Sequence, residues 1–424
     1  MANNRGEDVK ERYPIGKPYS TDSWWVAPTN FEPDVMGNKA PDSVYIHEVT
    51  LRDGEQTLGV AFKEDERIRI AEALSEIGIQ RIEVGMPLVS DSIFRATKRL
   101  VEMGLDAKIV PQARAEMHDI KYTMETGADA IIIVHTINPY HCQYAFDLSP
   151  EGLIERLVET LSYAKEQGLQ TTFMAADTFR TPLPYMLEVY ETVAREAKPD
   201  SMSLTDTVGV ATPFAVRWVT ERVKEVAPGI DLEFHGHNDF GMATACALGA
   251  VLGGATGIQA SFNGLGERTG NIPTEEIVAA LEIQAGIKTG IDLDGLGQVA
   301  QLVANISQVP IIPGKAITGE NLFKMEAEIV AFISDKLEKA GIGNAMLPYK
   351  PEVFGHEGIS YVLGKRSGLV AIESALERLG LGLTATEEQK KEMLELVKSE
   401  SRLQKAVVSD QQFRSMAQRV LGAE

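Results

Sequence analysis

The chain has 424 residues, with 41 lysines and arginines against 61 aspartates and glutamates, for a net charge of −20. Apolar residues make up 44% and charged residues 24%, which excludes a largely disordered chain. The negative charge excludes a nucleic-acid binder, which would present a basic face to phosphates, and an anionic membrane surface as partner. Two cysteines, Cys142 and Cys246, are too few for a disulfide framework or a C-x-x-C zinc site. Residues 1–17 are polar and carry no apolar signal core, and no run of 18 apolar residues exists. A reducing, cytoplasmic setting is the expectation.

Residues 1–40 are polar and proline-bearing, with an aromatic pair at Trp24 and Trp25, and read as an N-terminal arm that packs over the main domain. From residue 44 one unit repeats: a short β-branched run, then a helix-period segment. Eight runs are candidate strands: 44–49, 80–85, 107–112, 130–135, 170–175, 200–205, 231–236 and 257–262. Their starts lie about 23–40 residues apart, which leaves room for a crossover helix each time. Residues 63–77 place Ile68, Ala71, Leu74 and Ile77 on one stripe, and Ser149-Pro150 opens a helix over 151–167. The spacing predicts an α/β fold, a (β/α)8 TIM barrel over 41–290. A doubly wound sheet is the competing reading, but it has fewer strands and needs a switch point. Residues 291–424 form a mostly helical region, with helices over 296–308, 321–340, 370–379 and 386–421 and an irregular stretch at 344–368. Thr386 and Gln389 stand at capping-box spacing.

In such a barrel the active site lies at the C-terminal strand ends. Polar residues gather there: Arg52, Asp53, Glu83, Gln112, Arg114, His135, Asp177, Arg180, Asp206, Thr207, His235, His237, Asn263 and Asn271. Of seven histidines in the chain, three fall at these ends. His235-Gly236-His237 places two imidazoles on one strand face. Such a pair can be satisfied by hydrogen bonds alone; the strand-end position and the flanking Asn238-Asp239 favour a metal. Asp53 is well placed as the anionic third ligand, since the first and seventh strands flank the eighth in a closed barrel. Two nitrogens with oxygens suit Mn²⁺, Mg²⁺, Co²⁺ or Zn²⁺ without choosing among them. The loop from Gly264 to Asn271 is not the dinucleotide-binding fingerprint and reads equally as a phosphate cradle or a turn.

Three segments carry a resemblance: Thr50-Leu51-Arg52-Asp53-Gly54-Glu55-Gln56, His235-Gly236-His237-Asn238-Asp239, and Asn263-Gly264-Leu265-Gly266-Glu267-Arg268-Thr269-Gly270-Asn271. With Ile82-Glu83-Val84-Gly85, His135-Thr136, Asp206-Thr207 and Lys365-Arg366-Ser367-Gly368, they resemble a divergent member of the metal-dependent TIM-barrel synthases of the DRE-TIM metallolyase superfamily. That family includes 2-isopropylmalate, homocitrate, citramalate and Re-citrate synthases. The resemblance covers roughly residues 44–370. It implies a divalent metal (Mn, Mg, Zn or Co) on Asp53, His235 and His237, with Asn271 at or near it through its amide oxygen or a water. It implies condensation of an acyl-CoA, usually acetyl-CoA, with a 2-oxo acid, followed by thioester hydrolysis. Arg52 and Glu83 are the candidate catalytic residues, Arg52 polarising the oxo-acid carbonyl. Arg114, His135, His141 and Thr207 are the candidate substrate contacts. The resemblance also implies a homodimer formed through the helical region; the leucine-feedback domain of full-length isopropylmalate synthases would need more than about 100 further residues, so feedback through it is not expected.

Two positions depart from the family pattern. A glutamate usually precedes the aspartate of the fifth candidate strand; here Ala176 precedes Asp177. A catalytic histidine of the helical region, delivered across the dimer, aligns with Val330. Neither side chain exchanges protons. His356, Glu357 and Tyr361 are weak replacement candidates. A retro-Claisen lyase of the hydroxymethylglutaryl-CoA type is the alternative, since that branch lacks the cross-dimer histidine. Its loop carries a reactive cysteine, however, and the loop after the eighth candidate strand has none. A catalytically inactive binding relative is the third reading.

Overall fold

The computed structural model describes residues 12–342, 346–381 and 385–422. Residues 1–11 of the expected arm, 343–345, 382–384 and 423–424 lie outside the described residues. The chain divides into two compact units, one of residues 27–311 and one that joins the N-terminal segment to residues 312 onward.

In the first unit the β-branched runs form nine parallel strands: β1 Tyr45–Glu48, β2 Arg81–Glu83, β3 Lys108–Val110, β4 Gln112–Arg114, β5 Ala130–Thr136, β6 Gln170–Ala176, β7 Ser201–Asp206, β8 Asp231–Gly236 and β9 Gly257–Ala260. Their hydrogen-bonded order is β3-β2-β1-β9-β8-β7-β6-β5-β4. The run 107–112 is one candidate strand in the sequence and two in the structure. Pro111 has no N–H to give to a ladder, so pairing breaks there. Before it, Ile109 registers with Ile82; after it, Ala113 registers with Ile133. The two ends of the sheet are therefore consecutive pieces of one segment, and the sheet closes as a (β/α)8 barrel.

The register fixes which side chains face the lumen. Arg81 of β2 reaches across it to Glu233 Oε1 of β8 (2.8 Å) and Ser201 Oγ of β7 (3.4 Å). Followed through the paired residues, the alternation turns Glu83, Val110, Val134, Thr136, Met174, Ala176, Thr205 and His235 inward. The opposite set, including Ile82, Ile131, Ile133, Phe173, Leu204 and Phe234, is buried under the helices.

The crossover helices follow the apolar stripes. The helix Glu64–Glu76 buries Ile68, Ala71 and Leu74, and Glu66 accepts from Lys63 N–H (2.8 Å) at its start. The helix Pro150–Glu166 is capped by Ser149, which accepts from Gly152 N–H (3.0 Å). The helix Ala243–Leu252 lies so close to the chain entering Pro213–Val226 that a Cβ on Gly249 would sit 2.5 Å from the Pro213 carbonyl oxygen.

In the second unit, Trp25 N–H donates to Pro348 O (2.9 Å) and Lys350 N–H to Ser23 O (2.8 Å), which ties the tryptophan-bearing segment to the C-terminal one. The helix expected over 321–340 begins only at Glu328, because Lys324–Met325 pair in parallel with Ser360–Tyr361. The stretch 386–421 is two helices, Glu387–Gln404 and Asp410–Leu421, parted by Lys405 in the left-handed region (φ 53°). Each opens with a capping box, Thr386 with Gln389 and Ser409 with Gln412. Ile372, Leu376, Met393, Val397 and Phe413 form this unit's core. No helix among the described residues is long and apolar enough to cross a membrane.

A helical Gly→Ala exchange ordinarily stabilises by about 1 kcal/mol. At Gly249 the sign reverses, because the new Cβ meets backbone. Gly249→Ala is expected to destabilise by about 1–3 kcal/mol, read as a lowered urea midpoint.

Candidate metal centre and barrel mouth

Asp53 lies in the turn after β1, where its N–H donates to Val49 O (2.8 Å). Its carboxylate is buried and gathers donors from two segments. Arg52 Nη1 donates to Oδ2 (3.1 Å), Asn271 Nδ2 to Oδ2 (3.0 Å) and Glu267 N–H to Oδ1 (3.2 Å). His235 Nε2 and His237 Nε2 stand 3.1 and 3.5 Å from Oδ2 and 3.4 Å from each other. One ligand atom from each of Asp53, His235 and His237 therefore falls within 4.8 Å of the others, and all three residues are buried.

This donor set fits a divalent ion. Two imidazole Nε2 atoms and a carboxylate oxygen converge on one point. The site is a buried Asp-His-His cluster. Asn271 is brought to the same point, with its amide nitrogen foremost, because Oδ1 accepts from Ile272 N–H (2.7 Å). A ligand role through the oxygen requires the amide turned over.

Glu83, fully buried on β2, grips Arg52 by two hydrogen bonds, Nε to Oε1 at 2.7 Å and Nη2 to Oε2 at 3.3 Å. The guanidinium is thereby pinned against Asp53. Burial works against the Arg52 charge, and Glu83 and Asp53 outweigh it and raise its pKa. Burial would lift the Asp53 carboxyl, but Arg52, then His235 and His237, hold it well below the carboxylate range. Burial pushes His237 down to about 4, more than Asp53 beside it can restore.

Glu48 ties two of these segments together. It accepts from Thr50 N–H (2.8 Å), Thr50 Oγ1 (2.7 Å), Phe262 N–H (3.0 Å) and Thr274 Oγ1 (3.2 Å). The turn bearing Asp53 and the loop bearing Asn271 are thus held by one carboxyl. Burial lifts that carboxyl to about 7, against the hydrogen bonds that lower it.

The other candidates divide by where the alternation points them. Thr207 follows β7, and its Oγ1 accepts from Asp177 N–H (2.8 Å). Asp177 is held by Arg180 (2.6 and 3.0 Å) and by Asn138 Nδ2 (2.7 Å), and its Oδ2 lies 3.7 Å from His141 Nδ1. The His141 side chain is 43% exposed. Arg114 stands at the end of β4 with its fork closed on Asp119 (2.6 and 3.1 Å) and its side chain 58% exposed. His135 is turned away from the lumen. It packs on the Phe146 ring (5.1 Å between centroids), and its Nδ1 is 2.8 Å from Thr136 O. The inward residue at that strand end is Thr136, with Oγ1 3.3 Å from His141 Nδ1.

Ala176 occupies an inward position beside Thr136 at the mouth, where a carboxylate would face the lumen. In the second unit, His356 Nε2 meets Ile317 O and its ring lies against Phe323, while Tyr361 pairs with Met325. Both thiols are buried: Cys142 is pushed up to about 11 and Cys246 to about 12, so neither is a ready thiolate.

Sequence reasoning passed over Glu48 and Glu233. The signal was present in both: a carboxylate inside an otherwise apolar strand run is retained only with partners.

A profile of the HMGL-like family matches residues 43–303, more than half of the chain, and the chain belongs to that family. Homocitrate synthase AksA of Methanopyrus kandleri is 36% identical over 359 residues, covering 85% of this chain and 88% of that protein. The 2-isopropylmalate synthase of Methanocaldococcus jannaschii is 37% identical over 363 residues, covering 85% of this chain and 68% of that protein. Among solved structures, an HMG-CoA lyase from Bacillus subtilis superposes with a TM-score of 0.57 at 23% identity, covering 65% of this chain and 97% of that one. The last likeness speaks for the barrel fold alone.

His237 and Glu48 give the metal-free protein two opposing pH terms. His237 titrates lower when folded, so its stabilisation is present above pH 6.5 and lost as pH falls toward 4. Glu48 titrates higher when folded, so its term is full below pH 4.5 and lost as pH rises through 7. His237→Gln is expected to remove only the first. Between pH 7.5 and 4, with chelator present, the unfolding free energy of the variant should rise relative to wild type by about 3 kcal/mol. Parallel pH profiles from urea titrations of the two proteins would sink this assignment.

Proposed function

We propose that the chain condenses acetyl-CoA, or another acyl-CoA, with a 2-oxo acid and then hydrolyses the thioester, as an acyltransferase that converts the acyl group into an alkyl group on transfer. The observation that carries this reading is the buried Asp53–His235–His237 cluster with Arg52 locked beside it at the barrel mouth, in a chain more than a third identical to homocitrate and isopropylmalate synthases. A divalent ion on Asp53, His235 and His237 supplies Lewis acidity and a template for the oxo acid.

The chain's own residues do the remainder. Glu83 orients Arg52, and the guanidinium stabilises the alkoxide that develops at the oxo-acid carbonyl. Thr207 and His141 line the mouth as substrate contacts. Ala176 supplies no base, so proton transfer at the acyl methyl falls to another group. His141, backed by Asp177, is the mouth imidazole nearest to that role. The lyase reading is the weaker one, because both cysteines are buried and neither lies in the loop after β9. In the proposed assembly the protein is a cytoplasmic homodimer, and sedimentation velocity tests the dimer.

The reaction is tested by supplying the protein with Mn²⁺ or Mg²⁺, acetyl-CoA and, in turn, oxaloacetate, 2-oxoglutarate, pyruvate and 2-oxoisovalerate. Free thiol is expected with at least one oxo acid. Arg52→Ala should lower that rate about 10²–10³-fold, and His235→Ala should lose both bound metal and activity. Cleavage of a 3-hydroxyacyl-CoA, with no thiol from any pair, would establish the lyase instead.

A further inference from the structure

We infer that Gln259, aimed by Glu233, is a positioning residue that presets His235 as a metal ligand, its proton held on Nδ1 and its lone pair on Nε2. The inference rests on the metal reading above and adds how one ligand is made ready for the ion.

The argument runs upward from the floor of the barrel. Glu233 is fully buried on β8 and faces the lumen. It is surrounded by donors: His47 Nδ1 (2.9 Å), Tyr45 Oη (3.0 Å), Arg81 Nη1 (2.8 Å), Ser201 Oγ (2.8 Å) and Gln259 Nε2 (2.8 Å). The Arg81 guanidinium supplies the balancing charge. A carboxylate among these groups only accepts, so the Gln259 amide has one orientation, with its NH₂ on Glu233. Its Oε1 then faces His235 Nδ1 at 3.1 Å. An amide oxygen cannot donate, so Nδ1 carries the imidazole proton and Nε2 is bare.

On the opposite side of the ring two groups compete for Nε2. Asn271 Oδ1 is occupied by Ile272 N–H, so its Nδ2 faces His235 Nε2 at 3.3 Å as a donor, while Asp53 Oδ2 at 3.1 Å is an acceptor; with the proton held on Nδ1 by Gln259, the neutral ring takes the Asn271 N–H. His237 has no such brace: its Nδ1 is buried without a hydrogen-bond partner among the described residues. One imidazole is therefore braced through Nδ1 and the other is not. Outer partners that fix a ligating imidazole commonly set metal affinity by 10–100-fold.

The test uses the full chain stripped by chelator, with Mn²⁺ and Zn²⁺ titrated calorimetrically. Gln259→Leu is expected to weaken metal binding about 10–100-fold while the metal-free protein keeps its circular dichroism. Glu233→Gln keeps the volume but frees the Gln259 amide to turn over, and a loss of several-fold is expected. Histidine ¹⁵N spectra of metal-free wild type, which need no variant to fold, should show His235 protonated at Nδ1; in Gln259→Leu both tautomers should appear. A folded Gln259→Leu that binds Mn²⁺ within twofold of wild type overturns the inference, as does a wild-type His235 protonated at Nε2. A wild type that takes up neither ion overturns the metal reading as well, which separates the two failures.

Discussion

One buried negative charge organises this barrel mouth. The Asp53 carboxylate is fully buried, and an uncompensated charge there would cost several kcal/mol. Its compensation comes from the turn after β1 and from the loop after β9, and the two imidazoles of β8 are packed against it. Segments far apart in sequence are therefore fixed to one another wherever they meet that oxygen pair. Glu48 repeats the device one residue layer behind, joining the first and last of these segments. The positions of Arg52, His235, His237 and Asn271 follow from satisfying two carboxyl groups.

Much of this was legible in the sequence. The β-branched runs and their spacing specified the parallel barrel, and His235-x-His237 at a strand end announced two imidazoles on one face. Asp53 could be paired with them because closure makes the first and seventh candidate strands neighbours of the eighth. The seam at Pro111 was passed over, although a proline inside the run 107–112 was itself the signal that ladder pairing breaks there. His135 was misleading because a strand end does not reveal parity; one residue's shift turns a side chain from lumen to helix layer. Arg114 reads as a free cation until Asp119, five residues on in the following helix, is seen to close on it. The lumen network under His235 was invisible, because Tyr45, His47, Arg81, Ser201, Glu233 and Gln259 are spread over five strands and only register brings them together.

In the proposed reaction the departures at Ala176 and Val330 would concern proton traffic rather than metal or oxo-acid binding. Arg52, Glu83, Asp53, His235 and His237 form a complete electrostatic arrangement without them. What changes is the route by which a proton leaves the acyl methyl and by which water is activated. In this chain the titratable groups beside the vacant inward position are His141 and Asp177, linked through Asp177 N–H to Thr207.

The two buried cysteines carry a practical consequence. With both thiols enclosed and held far from ionisation, the folded protein offers little to an aromatic disulfide reagent in solution. Were the proposed condensation to run, colour developed during turnover would report the coenzyme's sulfur, and slow colour without substrate would report unfolding. The same enclosure leaves the barrel chemically indifferent to mild oxidants that silence enzymes with an exposed thiolate.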